Sequence, residues 1–132
     1  MHYGTENWGK NLAPYGVDSI GTEKAIHHDK RLIHDFLTGE ISMNKIENFT
    51  KETVQENNYK EYKWVWCGRY SVPFGLAFAN KLNLLQSKVS LTGDLLAYAS
   101  SIDRQLIHVE DLSMGTTAIA TQKHWVAYAS IK

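Results

Sequence analysis

The chain has 132 residues, the length of one domain, and its 43% apolar and 21% charged residues are those of a soluble globular fold. Fourteen basic residues balance fourteen acidic ones, which argues against a nucleic-acid binder, since that role needs a basic face to displace counterions. No apolar run approaches the roughly 20 residues that span a bilayer, so no membrane segment is expected.

The opening residues carry no secretion-signal layout, and the single cysteine, Cys67, excludes an intramolecular disulfide and suits a reducing cytoplasm. The sequon at Asn48 is then expected to be idle.

Residues 1–21, rich in Gly, Asn, Pro and Tyr, show no period and read as an irregular arm ahead of a single domain over 22–132. A first helix is expected from Thr22 as its cap, with Ile26, Ile33, Phe36 and Leu37 on one face and Gly39 as its stop. Ser42 should cap a second helix, with Ile41 and Ile46 at the spacing of a hydrophobic staple. The aromatic, β-branched stretch YKWVWCG (62–68) reads as a strand.

Pro73 suits the first turn of a third helix, which would bury Phe74, Phe78, Leu82 and Leu85. The period then becomes strand-like. Two hairpins are expected, one turning at Thr92-Gly93-Asp94 and the other at Gly115-Thr116, with QKHWVAYAS (122–130) in the closing strand. The order helix, helix, strand, helix and four antiparallel strands is that of an α+β domain with helices on one face of a curved sheet.

Several stretches resemble the SnoaL-like and ketosteroid-isomerase-like members of the nuclear-transport-factor superfamily. LIHDFLTGEISMNKIENFTKETV is similar to that family's opening helix pair, WCGRYSVPFGLAFANKL to its strand, glycine turn and third helix, GDLLAYASS to a hairpin start, and QKHWVAYAS to its closing strand. The resemblance covers roughly residues 22–131. It implies a cone of strongly curved, mostly antiparallel sheet closed by three helices, an apolar cavity at its mouth, and a homodimer formed through the sheet. It also implies cofactor-independent chemistry on small molecules in many relatives, and simple binding or dimerisation in others.

Side chains on a strand alternate between faces. If Lys123 faces water, then His124, Val126 and Tyr128 face the cavity. By the same alternation Val109 and Asp111 share the concave side, opposite His108 and Glu110. An inward carboxylate, Asp111, and an inward imidazole, His124, would form a proton-transfer pair with Asp111 as base and His124 as acid, suited to enolisation, ring closure or dehydration of a hydrophobic carbonyl compound. Asp111 is equally readable as a solvated strand-end acid. Tyr98 or Tyr128 could donate to an enolate oxygen, and Trp66 could line the pocket.

The family's oxyanion-stabilising tyrosine falls near Leu32 here, with His34 close by, and Val126 and Ala129 stand where relatives carry acids. These departures favour a second reading, a non-catalytic module for an apolar ligand or for dimerisation. A hot-dog thioesterase comes third. Neither a cofactor nor a metal is expected: His27 and His34 lie two turns apart, and Cys67 reads as a buried thiol.

Overall fold

The computed structural model describes residues 1–4, 12–86, 89–103 and 119–132, together with the backbone of two short strands at 108–109 and 115–116. The protein is an α+β domain with antiparallel sheets. Strand β1 (His2–Gly4) precedes helices α1 (Ser19–Leu32), which runs on into a π-helical turn (Ile33–Leu37), and α2 (Met43–Thr53), with strand β2 (Gly39–Glu40) between them. Helix α3 (Ser71–Gln86) is followed by β3 (Thr92–Gly93), β4 (Leu95–Ser100), β5 (His108–Val109), β6 (Gly115–Thr116) and β7 (His124–Ile131).

The helix boundaries follow local chemistry. Asp18, rather than Thr22, caps α1: its Oδ1 accepts from the Gly21 amide at 2.7 Å, so the helix begins four residues earlier than expected. Ser42 caps α2 by accepting the Lys45 amide at 3.2 Å, and Ile41 and Ile46 on either side of the cap are both buried. Gly39 supplies the left-handed conformation, φ 68°, that turns the chain after the π-helical turn.

The strands pair differently from the expectation. The first residues are not irregular: β1 adds to the edge of β7, with Tyr3 opposite Trp125 and the two rings stacked at 4.1 Å. The main sheet runs β1-β7-β4, β7 lying between its two antiparallel neighbours. Thr92-Gly93 is no hairpin turn but pairs with Gly39-Glu40, and Gly115-Thr116 is strand, paired with His108-Val109. The stretch 62–68 is not a strand either. Trp64, Val65 and Trp66 are buried in succession, and the Trp66 amide donates to the Trp64 carbonyl at 2.8 Å, a tight i to i+2 turn that strand geometry does not allow.

The core gathers Leu32, Ile33 and Leu37 from α1 and the π-helical turn, Phe49 from α2, the Trp64–Trp66 turn, and Tyr3, Trp125 and Ala127 from the sheet. Helix α3 is the exception. It buries Pro73 and Asn80, whereas Phe74, Phe78, Leu82 and Leu85, expected in the core, are exposed. The physical reason is composition: α3 is apolar around nearly its whole circumference, so its periodicity names no unique inner face.

Candidate functional site

Small residues face small residues between α3 and the sheet, and the gap they leave is the candidate site. Gly75 and Ala79 on α3 look across at Ala127 and Ala129 on β7, with Gly68 and Gly93 at the ends, and these short side chains leave a cavity of about 590 Å³. Leu37, Ile41, Trp66, Leu76 and Leu91 make its walls apolar, and the polar side chains of the lining residues are few: Ser71, Thr92, Tyr128 and Lys132. Both the size and the character are those of a small-molecule site. Among the described residues no aspartate, glutamate or histidine lines it.

Behind the Trp66 wall lies a second polar arrangement. Asp29, on α1, is fully buried. Its Oδ1 accepts from Trp64 Nε1 at 3.0 Å and from Trp66 Nε1 at 3.2 Å, and its Oδ2 accepts from the Tyr98 hydroxyl at 2.9 Å. A buried carboxylate is costly unless its oxygens are satisfied, and three donors from two segments of the chain satisfy this one. Burial and the Asp29 charge together push the Tyr98 phenol, and the buried Tyr3 phenol beside it, well above the ordinary tyrosine range. The cluster ties α1 to the Trp64–Trp66 turn and to β4.

At the surface beside it, His28 stacks on Trp64 with ring centres 3.9 Å apart. Its Nδ1 lies 2.7 Å from the Tyr15 hydroxyl and its Nε2 lies 3.2 Å from Arg31. A guanidinium can only donate, so Nε2 accepts and Nδ1 carries the proton of a neutral imidazole. Burial, then the Arg31 charge, hold the His28 pKa below its ordinary value.

The residues singled out from sequence scatter. Trp66 and Tyr128 do line the cavity. Tyr98 is half-buried but gives its hydroxyl to Asp29. His124 is exposed on the sheet face opposite Trp125 and Ala127, stacked on His2 at 5.7 Å, so the inward facing expected of it is corrected. The error lay with Lys123, which sits in the tight turn closed by Thr121 and His124 rather than on the strand, and so says nothing about its faces.

Val126 is half-buried, lies off the cavity, and donates its amide to Ser101 Oγ at 3.0 Å. His34 points to solvent, paired with Asp35 at 3.0 Å, and is likewise corrected as a cavity residue. Asp111 lies outside the described residues, as do the side chains of Val109 and His108. Cys67 is exposed, not buried, its Sγ 4.0 Å from His2 Nδ1.

Sequence reasoning missed Asp29 as a structural centre. Its signal was an acid set between Ala25 and Leu32 on the buried stripe of an amphipathic helix, a position that requires buried donors. No family, curated protein or solved structure matches the chain. Among the described residues no group of three or more metal-ligating side chains converges, and no helix is long and apolar enough to cross a membrane.

Proposed function

We propose that the protein binds an apolar small molecule in the cavity between α3 and β7, as a carrier or sensor rather than as an acid–base enzyme. We read the domain accordingly as a divergent SnoaL-like cone with an apolar cavity whose lining, among the described residues, carries no acid–base side chain. The observation that carries this reading is the cavity's lining, about 590 Å³ bounded by apolar walls with no carboxylate or imidazole among the described residues. An enzyme that moves a proton beside a carbonyl needs such a group within hydrogen-bond reach of its substrate. His124, the acid of that alternative, faces away from the cavity. Burial of a hydrocarbon body would supply the affinity, at about 25 cal/mol per Å² removed from water, and Lys132 at the lining could orient one polar end.

Native mass spectrometry of freshly purified protein should show a retained small molecule. Titration with a medium-chain alcohol should change the fluorescence of the protein, because Trp66 forms part of the wall. Ala79→Phe, which fills the space from one side, should weaken binding at least tenfold with the far-ultraviolet circular dichroism unchanged. Equal binding by this variant would remove the cavity from the proposal.

A further inference from the structure

Helix α3 carries one charged residue, Lys81, in sixteen positions, and it presents apolar side chains on two different faces. Val72, Leu76 and Ala79 look into the cavity. On the other side Phe74, Phe78, Leu82 and Leu85, spaced four, four and three residues apart, stand 76%, 63%, 40% and 70% exposed. A helix that is apolar all round belongs in an interior, and a monomer leaves this one half-covered.

We propose that this outer face of α3 is a homodimer interface, packing against α3 of a second copy of the chain. Three observations select a second copy as the occupant. The first is area. The two rings with Leu82 and Leu85 offer on the order of 450 Å² of apolar surface. The exposed Tyr70 and Val89 flank the helix and extend the patch toward the roughly 800 Å² per partner of a stable interface.

The second is charge. The stripe carries a single charged residue, Lys81, so it offers a highly charged partner little to pair with, whereas a second copy brings apolar side chains to apolar side chains. Lys81 lies within the arc, and its long stem can lie along the packed surface while the ammonium stays in water.

The third is self-complementarity. A two-fold axis brings the same patch to itself, so the aromatic end of one helix meets the leucine end of the other in an antiparallel pair. A helix of this length extends about 24 Å, enough for three turns of contact. This interface differs from the sheet-mediated dimer that the family resemblance implies.

Sedimentation of the full chain at micromolar concentration should give twice the mass of one chain. Phe78→Asp combined with Leu85→Asp should halve that mass, and because both side chains are exposed in the protomer its circular dichroism should not change. A wild-type monomer would overturn the proposal, and so would a double variant that stays dimeric.

Should the double variant fail to fold, cross-linking in a Cys67→Ser background decides. Phe78→Cys should be captured as a dimer by a short bis-maleimide, while Leu96→Cys, exposed on β4, should not. The reverse pattern would place the interface on the sheet and sink the α3 pair. Since Ala79→Phe acts on the cavity face and Phe78→Asp on the outer face, failure of the ligand reading and failure of the dimer are read separately.

Discussion

Trp66 belongs to two environments at once: its indole Nε1 donates to Asp29 Oδ1 at 3.2 Å while its ring forms part of the cavity wall. The buried carboxylate therefore fixes the orientation of a side chain that an apolar ligand would touch. Loosening Asp29 should loosen the wall, although Asp29 itself touches no ligand.

Replacement of Asp29 separates charge from shape. In Asp29→Asn the amide oxygen can accept both indole N–H groups, and its NH₂ can face the Tyr98 oxygen, which has a lone pair to accept it. The loss should be about 1–2 kcal/mol. Asp29→Leu leaves the Trp64, Trp66 and Tyr98 donors buried without an acceptor and should cost about 3–5 kcal/mol. Urea denaturation followed by tryptophan fluorescence measures both. Equal losses for the two variants would show that the three hydrogen bonds do not govern the stability of this region.

The pH dependence of stability follows from His28 and His2. Burial and Arg31 depress the first, and burial, His124 and the N-terminal ammonium depress the second. A histidine with a folded pKa below its unfolded value binds its proton more weakly in the native state. Its contribution is thus complete above about pH 6.5 and is lost as pH falls from there through the folded pKa. Stability should drop between neutral pH and pH 5, and the drop should be shallower in His28→Gln. A slope unchanged by that substitution would place the acid sensitivity elsewhere.

How much of this was legible in the sequence depends on how local each cause is. The Ser42 cap, the Gly39 stop and the Pro73 start of α3 could be read because each is decided within one turn of chain. The pairing of β1 with β7 could not, because His2 and Val126 are brought together by tertiary packing with no turn between them to mark it. Face assignment on β7 failed on a single residue, Lys123, which lies in the turn before the strand. Asp29 was visible as an acid on a buried stripe, but its meaning required Trp64, Trp66 and Tyr98, which lie 35, 37 and 69 residues further along. The cavity is a property of which small residues oppose one another, and the apolar α3 hid that by offering two faces where periodicity expects one.

Two glycines that line the cavity should respond in opposite directions to the same substitution. Gly75 lies within α3, and a Cβ added there meets nothing within 4 Å. Gly75→Ala therefore keeps the helix, reduces the freedom of the unfolded chain, and should stabilise the protein by about 0.5–1 kcal/mol. Gly93, in β3, is packed against the turn after α1. A Cβ there would fall 2.3 Å from the Leu37 carbonyl oxygen, which is backbone and cannot swing aside. Gly93→Ala must push β3 away from Leu37 and disturb its pairing with Gly39, at a cost of about 1–3 kcal/mol. Thermal unfolding of the two variants beside the wild type should move the midpoint up for Gly75→Ala and down for Gly93→Ala. If Gly93→Ala melted at or above the wild-type temperature, the close approach of β3 to Leu37 would be disproved, and with it the wall that this strand gives the cavity.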